Sequence, residues 1–340
     1  MDQRDITDTA PGTLRYAPRG AGRRRVGRAG AWAAGLLLAG VSTVVGCRAA
    51  DTDAITPVPQ LLAFLPWLIA PTVAALLLAL LARWRTGMVW GVAALGALAW
   101  YMEPYGTDAQ ASGAPVSGIR VLASNVQFGR GTNALIDAIT RNRPDLVFVE
   151  ECDYGCQDAL ARNSLETAYP YRQAVRAGGS EGSLILSEFP LKAAPTVDST
   201  MGMPGAVADV RGHAVRLQLA HPMPPLSRQV GLWKTELGRL RSVAAAHDGA
   251  MIMAGDFNAT QDHAAFRQIL DAGQLRDAAR LDGASRTPSW PSSAPRPLGT
   301  QIDHVLVSDD FSAEQVRFLK LADTDHRALL VQLTLRRHRG

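Results

Sequence analysis

The chain has 340 residues, 47% of them apolar, a mean hydropathy of zero and a net charge of +4. That length holds one large domain or two ordinary ones, and the hydropathy is high for a wholly soluble protein. The charge is local: residues 1–28 hold seven Arg against three Asp, residues 29–106 balance at three against three, and residues 107–340 at twenty-five against twenty-five. A neutral C-terminal part argues against non-specific nucleic-acid binding, which relies on many Lys and Arg facing phosphates.

Residues 1–28 are polar and carry Arg23-Arg24-Arg25 and Arg28, which predicts a disordered basic cytoplasmic arm. Residues 29–47 are uncharged and repeat Trp32, Leu36, Leu37, Leu38, Val41, Val44 and Val45, a length that suits a bilayer span. Two rivals are a signal peptide and a bacterial lipobox ending at Cys47. A second apolar run, 61–82, follows Asp51 and Asp53, and a third, 87–102, follows Arg83-Trp84-Arg85. One such run alone is equally a buried core helix; three within about 75 residues predict a membrane anchor over 29–106. Seven Arg before the first span and two after the second put the N-terminus in the cytoplasm and everything after Met102 outside. Trp100, Tyr101 and Tyr105 then form an aromatic belt at the outer interface.

Residues 107–118 are rich in Gly, Ser, Pro and Ala and read as a linker, leaving one domain over 119–340. Its pattern mixes strands and helices. Strands are expected at 119–125, 145–150, 182–187, 205–210, 214–220, 251–254, 302–308, 315–321 and 328–335, and helices at 133–141 and 232–246. No internal repeat is visible in the residue pattern. The stretch 285–298, with four Pro, reads as a loop.

Polar residues sit where the strands stop. Val121-Leu122-Ala123-Ser124 ends at Asn125, Leu146-Val147-Phe148-Val149 at Glu150-Glu151, Leu217-Gln218-Leu219-Ala220 at His221, and Met251-Ile252-Met253-Ala254 at Gly255-Asp256-Phe257-Asn258. Asp303-His304 opens one strand and Asp325-His326 precedes the last. Each junction alone is an ordinary turn. Gathered at one end of a sheet they would supply oxygen ligands for a hard cation such as Mg²⁺, with Mn²⁺ as the alternative, and two His for acid, base or charge-stabilising roles.

In their order, Asn125, the run 144–151, Gly182-Ser183-Leu184-Ile185-Leu186-Ser187, His221, Gly255-Asp256-Phe257-Asn258, Ile302-Asp303-His304 and Asp325-His326 resemble the endonuclease/exonuclease/phosphatase family, which includes DNase I-like nucleases, inositol polyphosphate phosphatases and neutral sphingomyelinases. The likeness spans about residues 119–336. It implies an α/β four-layer sandwich of two mixed β-sheets flanked by helices, here preceded by three transmembrane helices. It also implies a metal set of Glu151 and Asn125, with Asp325 as a further ligand or a loop-shaping residue. By the same likeness Asp303 orients His326, which contacts the phosphate or activates water. Asp256 positions or deprotonates the attacking water, Asn258 holds a phosphate oxygen, and His221 stabilises charge on the non-bridging oxygens. Glu150 stands where the family often has Gln, and His304 is expected to pack inside. Cys152 and Cys156 are either a disulfide behind the metal ligand or two free thiols.

The Pro-rich extension His221-Pro222-Met223-Pro224-Pro225 and the three expected spans resemble membrane-anchored members related to the actinobacterial teicoplanin-resistance protein. That narrower likeness implies a bilayer-bound, Mg-dependent hydrolase of a phosphorylated lipid or cell-envelope intermediate, such as a polyprenyl pyrophosphate, and a role in antibiotic resistance. The alternatives are an extracytoplasmic DNase I-like nuclease, less expected because nucleic acid suits a neutral domain poorly, and a catalytically silent membrane receptor or scaffold.

Overall fold

The structure, a computed structural model, describes residues 20–162 and 164–337. Residues 1–19 of the expected basic arm lie outside the described residues, and from Gly20 the chain is helical. The described residues form two compact units, one from those before Thr43 together with Ile69–Gly96, the other from Thr43–Leu68 and those from Ala97 on.

In the first unit run the N-terminal part of α1 (Gly20–Ala49), α3 (Ile69–Leu81) and most of α4 (Arg85–Met102), with α2 (Val58–Ala63) preceding α3 in the chain. Ala34 and Leu38 of α1 pack against Ala75 and Ala79 of α3 and Ala94 of α4, small residues that let helix backbones approach closely. Trp90 Nε1 donates to Ser42 Oγ at 2.9 Å. Trp32, Leu36, Leu77, Leu81 and Val89 point outward and are exposed.

The three expected spans reduce to one. Among the described residues only Gly27–Ala49 is a helix long and apolar enough to cross a membrane. The second run is interrupted: α2 stops at Ala63, a 3₁₀ turn covers Leu65–Leu68, and α3 adds only 13 residues. Pro66 inside the turn lacks the N–H that a continuous helix would use, and 13 residues fall well short of the ~20 a bilayer requires. The third helix, α4, opens on a charged Arg85 and is diluted by Gly and Ala.

The second unit contains two six-stranded sheets. Its elements are β1 (Pro115–Asn125), α5 (Thr132–Asn142), β2 (Leu146–Glu150), α6 (Tyr154–Leu160), α7 (Ser164–Ala168), β3 (Tyr171–Val175), β4 (Ser183–Ser187), β5 (Leu191–Val197), β6 (Met203–Val210), β7 (His213–Ala220), α8 (Val230–Ala245), β8 (Met251–Asp256), α9 (Ala264–Gly273), β9 (Arg276–Asp277), α10 (Ala278–Leu281), β10 (Asp303–Val307), β11 (Phe311–Lys320) and β12 (Arg327–Arg336). The strand orders are β11-β12-β1-β2-β4-β3 and β5-β6-β7-β8-β10-β9, mixed in both cases because β1–β2 and β7–β8 pair in parallel.

Strand periodicity builds the layers. Along β1, Val121 and Ala123 enter the core between the sheets, while Leu122 faces Leu135 and Ile139 of α5. Leu217, Leu219, Ile252 and Val305 meet that inter-sheet core from the other side. Met251 and Met253 turn outward onto Trp233, Leu237 and Leu240 of α8 and Phe266 and Ile269 of α9. Central strands are thus buried on both faces, which explains their continuous apolar runs. The result is the expected α/β sandwich of two mixed sheets flanked by helices.

Two segments read as mere connectors are part of this unit. Gln110 in the linker donates to the carbonyls of Leu281 and Ala313, both at 2.9 Å, and accepts from Ala313 N at 2.9 Å. The strap between α1 and α3 is bound by charges. Asp53, almost wholly buried, accepts from Ala265 N at 2.9 Å and pairs with Lys234 Nζ at 2.9 Å. α9 has no side-chain cap of its own, so Asp53 supplies it. Asp51 pairs with Arg267, and His263 Nε2 lies 2.8 Å from the Pro59 carbonyl.

Candidate active site

Topology places the expected residues at one end of both sheets. β1 and β2 are parallel and finish in register at Asn125 and Glu150. β7 and β8 are parallel and finish at Ala220 and Gly255, with His221 and Asp256 next in the chain. β10 runs antiparallel to β8, so its first residue, Asp303, faces Asp256 across the ladder. β12 runs antiparallel to β1, which carries His326, just before it, to the same end. Gly255 is required here: at φ +141° a side chain would collide with the Ala220 carbonyl and crowd Glu150.

Six of these side chains meet. Asn125 Nδ2 lies 3.1 Å from Glu151 Oε1 and 3.2 Å from Asp256 Oδ2, donating to both. Its own oxygen accepts from Gln127 N at 2.9 Å. Phe128 N donates to Glu151 Oε2 at 3.0 Å. His221 Nε2 is 3.8 Å from Glu151 Oε1. His326 Nδ1 is 2.9 Å from Asp303 Oδ2, and its Nε2 is 3.7 Å from Asp256 Oδ2. Glu151 and Asn258 both adopt left-handed backbone conformations, at φ +54° and +47°. Such strain in non-glycine residues persists only where the surroundings fix it, commonly at functional sites.

Burial and charge pull the protonation states apart. Burial alone would lower the His326 pKa, but Asp303 and Asp256 outweigh it and raise it to about 10. The Asp256 carboxyl is raised to about 7 by burial and by Asp303, against the opposing His326 charge. Burial and the His326 charge push His221 down to about 3, so it is a neutral imidazole; its Nδ1 is buried without a hydrogen-bond partner. Glu150 is fully buried, and neither carboxyl oxygen has a partner. Burial, then Asp303 and Asp256, raise its pKa well above the usual carboxylate range, so it lies beside the acid pair as a neutral group.

Two expected residues are occupied differently. Asp325 Oδ2 accepts from Trp290 Nε1 at 3.0 Å, which ties it to the 285–298 loop. Asn258 Nδ2 donates to the Pro222 carbonyl at 3.0 Å, joining the β8 turn to the turn after His221. His304 is buried between Asp277 and the Ala259 carbonyl, at 2.7 and 3.1 Å. Cys152 and Cys156 form a disulfide directly behind Glu151.

Several supports were not anticipated. Ser289 Oγ accepts from Asp303 N at 3.1 Å and Ile302 N at 3.0 Å, and Thr324 Oγ1 donates to the Asn125 carbonyl at 2.8 Å. Buried Glu236 accepts from Thr200 N and Met223 N, both at 2.7 Å, and so fixes the turn after His221. Hydroxyls and acids that hold backbone N–H groups from a distant element leave no local spacing signal.

The residues fit a divalent metal. Asp256 and Asp303 offer carboxylate oxygens within 4.8 Å of each other and of His326, whose charged ring acts as a donor, and the Glu151 carboxylate adjoins them through Asn125. The ion pairs formed by these carboxylates are with His221 and His326, and His221 is neutral, so the cluster carries a buried excess of negative charge. Hard oxygen donors of this kind suit Mg²⁺ or Mn²⁺.

The profile of the Endonuclease/Exonuclease/phosphatase family matches residues 122–326. Among solved structures, an endonuclease/exonuclease/phosphatase from Beutenbergia cavernae is similar over 65% of this chain and 72% of its own, at 18% identity and a TM-score of 0.51. A family protein from Leptotrichia buccalis aligns over 63% and 99%, at 13% identity and 0.52. D. rerio TDP2 complexed with single-strand DNA product aligns over 64% and 99%, at 15% identity and 0.51. At these identities the likeness shows the fold. No curated protein matches the chain. The narrower resemblance to teicoplanin-resistance relatives finds no counterpart among these matches.

Proposed function

Because the chain belongs to the endonuclease/exonuclease/phosphatase family, we propose that it is a Mg²⁺-dependent phosphoester or pyrophosphate hydrolase, anchored in a membrane and acting on a lipid-linked or envelope substrate outside the cytoplasm. One observation carries the reading: both sheets deliver their polar junctions, Asn125, Glu151, His221, Asp256, Asp303 and His326, to a single end.

Glu151 and Asn125 would hold the metal. When bound, the cation neutralises charge on a phosphoryl oxygen. Asp256, with a pKa near neutrality, accepts a proton from the attacking water. Asp303 holds the Nδ1 proton of His326 and sustains its positive charge, so His326 Nε2–H donates to a phosphoryl oxygen and stabilises the charge that develops there. His221, being neutral, donates one hydrogen bond to a non-bridging oxygen. Asn258, which donates to the Pro222 carbonyl next to His221, would leave that bond to hold a phosphate oxygen.

Membrane attachment is supported by Gly27–Ala49 and by the outward apolar residues of the first unit. The Arg-rich N-terminal flank and the Cys152–Cys156 disulfide both favour a catalytic unit outside the cytoplasm. Polyprenyl pyrophosphate is the leading substrate. A nuclease is the second reading, favoured by the DNA product held in the D. rerio structure. The full chain in detergent with Mg²⁺, offered polyprenyl pyrophosphate, phospholipid and DNA, tests both. Hydrolysis of a lipid phosphate and not of DNA is expected; the reverse selects the nuclease, and turnover of none of the three overturns the hydrolase reading.

A further inference from the structure

The strap between α1 and α3 has two chemically different faces. Asp53, Leu62 and Leu65 turn inward and are at most 1% exposed. Ile55, Leu61 and Trp67 turn outward at 68%, 39% and 43% exposure. Two loops are bonded to the strap and add to the outer face. Gln60 Nε2 donates to the Pro225 carbonyl and Thr56 Oγ1 lies 3.4 Å from the Ser227 carbonyl, beside Leu226. Thr300 Oγ1 donates to the Ala63 carbonyl at 2.6 Å, and Phe64 meets the Trp290 ring, beside the loop that carries Leu298. Leu226 and Leu298 are also exposed, at 57% and 46%.

Single exposed apolar residues are ordinary, but five on one strap and the loops it holds form a patch with a partner implied. From these contacts we infer that residues 55–67, with Leu226 and Leu298, form a collar that rests in the interface of the bilayer. Chain continuity identifies that occupant: the membrane-length helix ends at Ala49, just before Ile55. A tryptophan among aliphatic residues suits the headgroup boundary. The collar bonds the turn that follows His221 through Gln60, and the loop whose Trp290 holds Asp325 through Ala63 and Phe64. A lipid phosphate therefore reaches the site at the level of its own headgroup. The inference rests on the membrane part of the proposed function, not on the hydrolase part.

Depth-dependent quenching tests it. In the full chain with Cys47→Ser, bimane is attached at Leu61→Cys, at Leu226→Cys, or at Tyr171→Cys on the exposed edge strand β3 as the control. Each is reconstituted into phosphatidylglycerol/phosphatidylethanolamine vesicles with spin-labelled acyl chains. Labels at 61 and 226 should lose more than half their intensity, while the label at 171 keeps its own. A chain that floats with the vesicles but shows 61 and 226 quenched no more than 171 overturns the collar alone. A chain that does not float with the vesicles overturns the membrane reading and the collar with it. Because all three positions are exposed, thermal unfolding at the Cys47→Ser midpoint confirms that each labelled chain is folded.

Discussion

In each sheet a parallel pair of strands joined by a helix is flanked by antiparallel neighbours: β12 and β4 around β1–α5–β2, β6 and β10 around β7–α8–β8. At equivalent places the residues differ. β4 opens on Ser183, opposite Glu150, whereas β10 opens on Asp303, opposite Asp256. Beside a neutral Ser183 the first sheet keeps a single buried acid, Glu150, in its protonated form and swings the next one, Glu151, outward through a left-handed turn. In the second sheet two carboxylates lie side by side and draw charge onto His326. One arrangement, used twice, thus gives one end with an outward carboxylate, Glu151, and one with two acids coupled to an imidazole.

Removing Asp256, the proposed base in the second sheet, should have the largest effect. Asp256→Ala should lower turnover of a soluble phosphodiester by about three orders of magnitude, with KM changed little. Initial rates that match the wild type would remove the proton-handling role from this sheet. Glu151→Gln should behave differently, because its loss acts through the metal. The Mg²⁺ concentration for half-maximal rate should rise by roughly ten- to a hundredfold, with turnover recovered at saturation. A midpoint that does not move would erase the contrast between the sheets.

The pH profile sharpens the same division. kcat/KM should rise through about 7 as Asp256 loses its proton and fall near 10 as His326 loses its charge. His326→Gln should flatten the alkaline limb and move the acidic one to higher pH, because the His326 charge no longer holds the Asp256 pKa down. Asp53→Ala removes a helix cap and a partly buried ion pair. It should cost about 1–2 kcal/mol in thermal unfolding. The smallest effect is expected at Glu150. Its raised pKa means the folded state keeps a proton that the unfolded chain releases, so its contribution is present at acid pH and is lost as pH rises toward the folded-state pKa. Glu150→Gln should therefore gain stability relative to wild type as pH is raised. A difference in melting temperature that is constant with pH would show Glu150 ionised in the native protein.

Much of the catalytic unit was legible because its central strands are buried on both faces and end abruptly in polar residues. β2 and β8 read as unbroken apolar runs, and both proved central. β3 and β5 escaped notice: each lies at a sheet edge, half exposed, and β5 carries Pro195. α9 was missed because its cap comes from Asp53, far away in the chain. The twofold use of one strand arrangement was invisible since Ser183 and Asp303, or Asn125 and His221, share place without sharing chemistry. The membrane spans failed for a related reason. Hydropathy scored 61–82 as one run, but Leu62 and Leu65 at its start are buried, and Pro59 just before it lies against His263 of the second unit.

The cap that Asp53 places on α9 joins residues 212 positions apart. During synthesis the strap emerges early, and its partner only after most of both sheets has been made. Closing so long a loop is slow, and folding rates fall as such distant contacts multiply. The loop from Asp256 to His263 therefore reaches its final form late, once a chain end laid down near the start is in place to receive it. A catalytic fragment cut at the linker would be assembled without that receiver, and its activity would describe a different molecule.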